Sequence, residues 1–478
     1  MEAKPKTPER QLLFRQIPGV DQILDHPELS EWLVRVPREV CADVIRQVLA
    51  AVRAQILQDT ESVLVKEGQV NRKAILGEVT RALHTLASPS LRAVVNGTGI
   101  VLHTNFGRAP LSGKALDAVS RVSASYNNLE YDLERRTRGS RHTHVEEALK
   151  ALLKVESVLV VNNCAAAVLL TLAGLSHGKE TIVSRGELVE IGGSFRIPEV
   201  MESAGAVLRE VGTTNRTHLR DYESAITERT GLLMKAYRSN FDIVGFTTEV
   251  ALEDLVALGA ERGIPTAMDL GCGLLVDLQP YGIHRGTTVQ SIVESGVDVV
   301  CFSGDKLLGG PQCGILVGKE KWISRLKSHP MTRALRVDKM VLSALEATLS
   351  SYLDGSWRTA LPAHRMMTMT SEDTAIRAGQ LQELLSPLEA RFPVRLSIVE
   401  TEGKVGGGTL PLTVLPGFGV CVAIEGTSSD AVEQFFRNHS SPIVGRVTES
   451  GFVLDVRTLF DGDFATIHAC LTALLNPS

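Results

Sequence analysis

The sequence has no long apolar run and no cysteine pattern typical of a metal site or a disulfide framework. None of its apolar stretches approaches the roughly 18 residues that cross a bilayer, and the polar stretch MEAKPKTPERQ leads into no signal-like segment. The 7 cysteines are scattered, without a CxxC or Cys/His ligand spacing. We therefore expect a cytoplasmic protein with no membrane segment and no structural metal.

The sequence also has no excess of positive charge. The formal net charge of the 478 residues is −5, whereas proteins that bind nucleic acid typically carry a basic field. Any contact with RNA must therefore come from local clusters of basic side chains. The length itself is typical of about three domains.

Residues 1–85 are predicted to form a helical domain. Pro37 suits the start of a helix, and apolar side chains follow it at helical spacing. They are Val40, Val44, Ile45, Val48, Leu49, Val52 and Ile56. Acidic and basic residues are equal in number here, so this domain could serve only in packing or dimerisation. Residues 86–90 are predicted to form a linker.

Residues 91–350 alternate between short β-branched runs and stretches of helical periodicity, such as 165–175 and 252–262. This alternation is typical of a parallel sheet covered by helices on both faces. Ligands of such sheets bind beyond the carboxyl ends of the strands. The predicted strands are 155–161, 181–184, 207–211, 232–237, 265–270, 297–302 and 314–317.

Residues 351–478 are predicted to form a smaller α+β domain. Helices are expected at 372–388 and 464–475, and short strands at 395–399, 409–414, 420–424 and 452–455. No internal repeat or low-complexity tract is evident.

The first candidate group follows the strand that ends at Val161. Asn162 and Asn163 lead into Cys164, Ala165 and Ala166, small residues that open a helix. Free backbone N–H groups and the helix dipole at such a start favour an anion. Taken alone, an ordinary capped helix packed on the sheet explains this pattern better.

The second candidate is Asp269, which closes an apolar strand and precedes the glycines of LGCG. A carboxylate at this place could hold a proton on a ring nitrogen and so keep a heterocycle cationic. Asp is also common as a helix cap after a strand. Taken alone, the two interpretations are equally good.

The third candidate is Lys306, in SGDK, just beyond the predicted strand 297–302. A partly desolvated lysine has a lowered proton affinity and can form a Schiff base with an aldehyde. Ser303 could donate its hydroxyl to a phosphate, with Gly309 and Gly310 behind the lysine. A lysine chosen at random is more often a surface loop residue.

The three groups together favour a cofactor site. An anion site, a strand-terminal Asp and a strand-terminal Lys occur in this order in fold-type I pyridoxal-phosphate enzymes, which the chain resembles. The resemblance implies that Asp269 contacts the pyridinium nitrogen, that Lys306 holds the aldehyde, and that Asn240 in RSNF reaches the phenolic oxygen. It also implies a residue stacked on the ring, which we expect within 185–196.

Three longer stretches resemble the bacterial selenocysteine synthases, the L-seryl-tRNA(Sec) selenium transferases. They are NGTGIVLHTNFGRAPL at 96–111, YDLERRTRGSR at 131–141 and FSGDKLLGGPQ at 302–312. The opening IPGVDQIL at 17–24 is similar to that family's tRNA-binding N-terminus. The resemblance covers nearly the whole chain. It implies an α/β fold-type I large domain with a mostly parallel sheet, a helical N-terminal domain and a smaller α+β C-terminal domain.

The resemblance implies a reaction on seryl-tRNA(Sec). The serine amino group displaces Lys306 from pyridoxal 5′-phosphate, and Lys306 removes the α-proton. Loss of the hydroxyl leaves an aminoacrylyl intermediate, to which selenium from selenophosphate adds, giving selenocysteinyl-tRNA(Sec).

Several arginines are candidates for anion binding, because guanidinium is a natural partner of phosphate. The resemblance implies that Arg108, Arg333 and Arg336 bind the selenium donor. Without it, Arg333 and Arg336 are better explained as a solvated helix face. Arg138 and Arg141 are further candidates, equally well explained as surface charges.

The resemblance also implies a large ring, a homodecamer of five dimers, in which several subunits share one tRNA. The candidate RNA contacts are Arg46, Arg53, Arg72, Lys73 and Arg81.

Two alternatives keep the same fold. A related pyridoxal-phosphate lyase could use the Lys306 and Asp269 pair on a small phosphorylated amino acid or amino-sugar acid. A non-enzymatic RNA-binding scaffold could retain an inactive cofactor fold.

Overall fold

The computed structural model describes residues 7–58, 64–66, 69–191, 195–284, 286–410 and 412–476. These residues belong to two compact units, Met1–Ala93 and Val94–Ser478. We number helices and strands in chain order. The predicted division of the second unit into domains 91–350 and 351–478 stays a prediction.

The first unit is helical, as its sequence pattern predicts. The longest helix, α4, follows Pro37 and buries one face that includes Ile45, Val52 and Ile56. Helix α5 packs on it and begins at Asn71, whose side chain accepts a hydrogen bond from the Ala74 N–H at 3.0 Å. The elements are α1 (Thr7–Gln16), α2 (Val20–Leu24), α3 (Ser30–Arg35), α4 (Arg38–Gln58), β1 (Val65–Lys66), β2 (Gln69–Val70) and α5 (Arg72–Ala87).

The second unit is built on a sheet of seven strands. In spatial order they are β10 (Val207–Val211), β7 (Glu180–Ser184), β11 (Thr230–Ala236), β12 (Thr266–Gly271), β13 (Val299–Ser303), β14 (Gly314–Gly318) and β6 (Ser157–Val161). All neighbours are parallel except β14, which is antiparallel to both β13 and β6. Each of the seven strands overlaps one predicted run, with ends that differ by no more than two residues, and the mostly parallel sheet is confirmed.

Helices cover both faces of this sheet, which explains why its strands are apolar throughout. Alternate residues of β6 enter different cores: Val158 and Val160 face one, and Leu159 and Val161 face the other. Helix α8 (Cys164–Ser176) packs on the second face and is itself almost entirely apolar.

Before the C-terminal part of this unit, the described residues also form the helices α6 (Gly113–Ser123), α7 (Thr143–Leu153), α9 (Ile197–Ser203), α10 (Leu219–Ala225), α11 (Leu252–Arg262), α12 (Val289–Glu294), α13 (Glu320–Lys327), α14 (Met331–Ala334), α15 (Lys339–Leu353), α16 (Trp357–Ala360) and α17 (Pro362–Met367). Short strand pairs involve β3 (Val95–Asn96), β4 (Tyr131–Asp132), β5 (Thr137–Arg138), β8 (Glu190–Ile191), β9 (Phe195–Arg196) and β17 (Ile443–Val444).

The C-terminal part contains an antiparallel sheet packed against three helices. Its strands, in spatial order, are β15 (Val394–Lys404), β16 (Val414–Ile424), β19 (Gly451–Asp455) and β18 (Arg446–Thr448). The helices are α18 (Ser371–Leu385), α19 (Ser429–Asn438) and α20 (Asp463–Leu475).

One predicted strand differs here. The runs 409–414 and 420–424, expected as two strands, form the single strand β16, which begins only at Val414 because Gly406 and Gly408 have positive φ and turn the chain before it. Across the described ranges, no helix is long and apolar enough to cross a bilayer.

Candidate functional site

A cleft of about 630 Å³ lies at the carboxyl ends of the parallel strands. Its walls come from the ends of β6, β11, β12 and β13 and from the segment after β3, because parallel strands present these ends at one edge. The lining residues are Thr104, Asn105, Gly107, Arg108, Asn163, Cys164, Ala165, Tyr237, Ser239, Asp269, Gly271, Ser303, Asp305, Lys306 and Gln312. The three candidate groups of the sequence thus meet in one place.

Asp269 lies near the end of β12, between Ala236 of β11 and Cys301 of β13. Its side chain is buried, and burial raises the pKa of its carboxyl to about 6, although Lys306 and the Cys164 thiol oppose this shift. Its backbone carbonyl accepts a hydrogen bond from the Tyr237 N–H at 2.8 Å. Asp269 is therefore held in a fixed position and faces the cleft.

Asn163 is the N-cap of α8. Its side chain accepts a hydrogen bond from the Ala166 N–H at 2.8 Å, as in an ordinary capped helix. The N–H groups of the first helical turn have no acceptor within the helix, and Cys164 and Ala165 stand at the cleft wall. Capping and anion binding are thus compatible at this helix start.

Lys306 follows β13, which ends at Ser303, and is only 5% exposed. Its side chain ends in the cleft near two glycines. A Cβ atom on Gly408 would lie 3.0 Å from the lysine Nζ, and one on Gly271 would lie 3.8 Å from it. The amine therefore has space on these two sides only because neither residue has a side chain.

Arg108 and Asp305 form an ion pair at the cleft, with Nη1 3.0 Å from Oδ2. Arg108 has a φ of 62°, a left-handed conformation unusual for a residue with a side chain. The backbone also joins the two segments, since the Ala109 N–H donates to the Asp305 carbonyl at 3.3 Å. Asp305 thus fixes the predicted anion-binding arginine beside Lys306.

The other predicted site residues do not line this cleft. Ala166 is buried and follows Ala165, the last residue of α8 that lines the cleft. Asn240 is exposed, and its Nδ2 donates a hydrogen bond to the Glu190 carbonyl at 2.6 Å. Gly309 and Gly310 lie behind the lysine, against His364, Leu361 and Thr348. Their cofactor roles stay predictions.

Arg333 and Arg336 are exposed near the end of β6. The backbone of Arg336 forms an isolated antiparallel β-bridge with Val161, and the Asn162 N–H donates to the Leu335 carbonyl at 3.0 Å. Within the described ranges neither guanidinium has an ion-pair partner. These arginines therefore flank the start of α8 rather than the lysine, and their donor role stays a prediction.

Arg138 and Arg141 share one acidic partner, Glu130. The ion pair with Arg141 lowers the pKa of the Glu130 carboxyl, and Arg141 also donates to the Val337 carbonyl at 2.5 Å. Glu130 thus offsets part of the charge that would otherwise attract an anion.

The five candidate RNA contacts of the first unit differ in their partners. Arg46 pairs with Asp43 and Arg81 pairs with Glu78, each within its own helix. Arg72 donates to the Gln16 carbonyl at 3.5 Å. Arg53 and Lys73 have no ion pair among the residues described.

Sequence reasoning missed several cleft residues. Asp305 and Gln312 lie inside the quoted FSGDKLLGGPQ stretch, and Tyr237 and Ser239 follow β11, so the rule of examining strand ends could have found them. The ring-stacking residue was expected within 185–196. Residues 192–194 lie outside the described residues, and none of the described residues in this range lines the cleft.

The residues present fit pyridoxal 5′-phosphate, the cofactor of this fold. The start of α8 and the Ser303 hydroxyl suit its phosphate, Asp269 suits its ring nitrogen, and Lys306 suits its aldehyde. The glycines at 271 and 408 leave space beside the amine.

The fold is that of the fold-type I pyridoxal-phosphate enzymes. A solved D-glucosaminate-6-phosphate ammonia-lyase superposes with a TM-score of 0.53 at 20% identity, covering 80% of this chain and 95% of that one.

The sequence narrows this class to one family. The family model for L-seryl-tRNA selenium transferase matches residues 94–460, and the one for the selenocysteine synthase N terminus matches residues 14–53. The L-seryl-tRNA(Sec) selenium transferase of Geobacter sulfurreducens is 48% identical over 97% of this chain and 99% of its own. That of Carboxydothermus hydrogenoformans is 46% identical over 94% and 95%. The chain belongs to the L-seryl-tRNA selenium transferase family.

Proposed function

We propose that the protein converts L-seryl-tRNA(Sec) to L-selenocysteinyl-tRNA(Sec), with selenophosphate as the selenium donor. The observation that carries this proposal is the cleft in which Lys306, Asp269 and the start of α8 meet, within a chain of this family. When bound, the pyridoxal cofactor withdraws electrons from the substrate's α-carbon, so that the serine hydroxyl can leave.

Lys306 has two tasks in this proposal. It would hold the cofactor through its aldehyde, and its free amine would take the proton from the α-carbon of the substrate. The low exposure of Lys306 supports both tasks, because a buried amine is shielded from water and from competing proton donors.

Asp269 would hold the cofactor's ring nitrogen and keep a proton on it. Burial disfavours its carboxylate form, and a cationic ring beside it would favour the carboxylate again. The acid and the ring would thus stabilise each other's charge when the cofactor is present.

Arg108, Arg333 and Arg336 are proposed to bind the phosphate of the donor. Arg108 is at the cleft and is held by Asp305. Arg333 and Arg336 are exposed beside the segment that precedes α8 and are free to reach an incoming anion. Bidentate guanidinium contacts would orient the donor toward the β-carbon.

The tRNA is proposed to contact Arg53 and Lys73, together with Arg46, Arg72 and Arg81. Since the chain as a whole is acidic, these contacts come from local basic clusters, and we propose that several subunits of a cytoplasmic homodecamer of five dimers contribute them. The mass of the assembly in solution, measured by light scattering, tests this arrangement.

Incubation with seryl-tRNA(Sec) and selenophosphate, followed by identification of the attached amino acid, tests the function directly. Selenocysteine on the tRNA supports it, and unchanged serine contradicts it. Equal gel-shift binding of tRNA(Sec) and tRNA(Ser) would favour the small-molecule lyase. A visible cofactor band that borohydride bleaches would exclude the inactive scaffold.

A further inference from the structure

Two buried side chains hold the backbone that immediately follows Lys306. The Tyr352 hydroxyl, on α15, donates to the Leu308 carbonyl at 2.8 Å. The Nε2 atom of His364, on α17, lies 2.8 Å from the Leu307 carbonyl and 2.8 Å from the Tyr352 hydroxyl. His364 is completely buried and Tyr352 nearly so. The two carbonyls after the lysine are therefore both occupied by side chains from distant helices.

The contacts assign the proton on His364. A carbonyl only accepts hydrogen bonds, and the Tyr352 hydroxyl proton is directed at Leu308, so Nε2 carries the proton and shares it between the Leu307 carbonyl and the Tyr352 oxygen. Burial lowers the pKa of His364 to about 4, so its ring is neutral at physiological pH. Its Nδ1 atom is buried and has no partner among the residues described. His364 is thus a neutral donor whose one N–H serves the lysine loop.

Packing leaves this pair little freedom to move. The Trp357 ring meets the His364 ring edge-on, with centroids 5.2 Å apart. Gly309 has a φ of 73°, and a Cβ atom built on it would lie 3.4 Å from His364 Cδ2. The imidazole is therefore enclosed between an aromatic ring and the loop that it holds.

The same loop is also tied on its other side by backbone bonds. The Leu307 N–H donates to the Cys272 carbonyl at 2.9 Å, and the Gly310 N–H donates to the Gly304 carbonyl at 2.8 Å. Residue 307 is thus held through both its N–H and its carbonyl. Lys306 lies between anchored neighbours.

We propose that Tyr352 and His364 are positioning residues. They keep the Lys306 amine within reach of the cofactor aldehyde both while the amine is attached to the cofactor and while the amine is free. The inference rests on the proposed function, in which the amine must leave the cofactor and return to it in every cycle. A backbone free to relax during the detached stage would delay the return.

Four variants test the proposal. Tyr352→Phe removes the donor to Leu308, and His364→Leu removes the donor to Leu307. His364→Gln keeps an N–H donor of similar reach. Tyr222→Phe is the matched control, since Tyr222 is also buried and its hydroxyl donates to a strand carbonyl, that of Met234, at 3.4 Å.

The first readout is hydrogen exchange of the peptide containing Leu307, Gly309 and Gly310 in the cofactor-free protein. Tyr352→Phe and His364→Leu should speed this exchange about tenfold relative to the rest of the sheet, the effect of one lost buried hydrogen bond. His364→Gln and Tyr222→Phe should leave it near the wild-type rate. Because no substrate is present, this result stands apart from any failure of the proposed function.

The second readout is the pH titration of the visible band of the lysine-linked cofactor. The pH midpoint of this titration should shift in Tyr352→Phe and His364→Leu. In the same two variants kcat should be lower, whereas KM for seryl-tRNA should change little. A uniform rise of exchange through the whole unit, or an unchanged titration, would show that the pair only stabilises the core and would overturn the proposal.

Discussion

The Cys164 Sγ atom lies 3.6 Å from the Asp269 Oδ1 atom, so that the thiol of the α8 start donates to the acid at the end of β12. Burial first, and then the charge of Asp269, raises the pKa of the Cys164 thiol well above its usual value. Cys164 therefore remains protonated and donates, which favours the carboxylate form of Asp269.

Replacing the Cys164 thiol should change the pKa of Asp269. In Cys164→Ala the carboxylate loses a donor, so the pKa of Asp269 in the cofactor-free protein should rise above about 6. Cys164→Ser keeps a donor and should leave that pKa near its present value. Infrared difference spectra of the carboxyl, with Asp269→Asn subtracted, measure the shift. The same pKa in the alanine variant and the wild type would contradict the thiol's role.

Asp269 should also make the stability of the cofactor-free protein depend on pH. Burial raises the pKa of this carboxyl from 3.8 to about 6, so the folded state holds its proton more tightly than the unfolded state. The free energy of unfolding should therefore fall as pH rises through this window, by about 3 kcal/mol. Asp269→Asn should remove this part of the pH dependence, whereas the exposed Asp254→Asn should retain it. Urea unfolding at pH 4 and pH 7 tests the difference.

Lys306→Ala should abolish turnover and leave tRNA affinity nearly unchanged, because the lysine acts only at the aminoacyl end. The variant should also lose the visible cofactor band and the labelling by borohydride. Lys321→Ala, at an exposed position of α13, is the control and should keep both. Turnover in Lys306→Ala would rule out the assignment of the cofactor lysine.

Arg333→Ala should impair the second half of the reaction more than the first. Loss of one guanidinium contact to phosphate should lower kcat/KM for selenophosphate about tenfold to a hundredfold. Exchange of the serine α-proton with solvent, which needs no selenium donor, should stay near the wild-type rate. Arg325→Ala on α13 is the matched exposed control. An equal loss of both steps would speak against a donor site at Arg333.

Binding of tRNA should weaken steeply with salt, because each phosphate contact releases counterions. The double variant Arg53→Ala with Lys73→Ala should reduce the slope of log affinity against log salt, since each lost contact lowers it by about one. Arg46→Ala, which removes a charge already paired with Asp43, should have a smaller effect. A flat salt response of the wild type would count against RNA binding.

The sequence was sufficient to predict the main sheet and the meeting of Asp269 and Lys306 in one cleft. Strand runs buried on both faces have a strong local signal, and parallel topology places Asp269 and Lys306 at one edge without further information. The strand expected at 409–414 was misplaced, because an apolar run after a glycine turn does not reveal where sheet pairing begins.

Contacts between distant segments could not be predicted in this way. Gly408 lies beside the Lys306 amine, and Tyr352 and His364 bond its loop, although no spacing rule connects these positions. A buried histidine on an apolar helix is ordinary core by pattern alone. Only the packed structure shows that its single N–H is directed at the residue after the lysine.

The reversed strand β14 has a consequence for how the chain can vary. Because β13 and β14 are neighbours, residues 304–313 leave the sheet and re-enter it beside the point of departure. Residues 304–311 are buried, and Leu307, Leu308 and Cys313 belong to the hydrophobic core, so an inserted residue would have no open space to enter. It would displace these side chains together with the Lys306 amine, and the length of this connection is therefore set by packing and by chemistry at once.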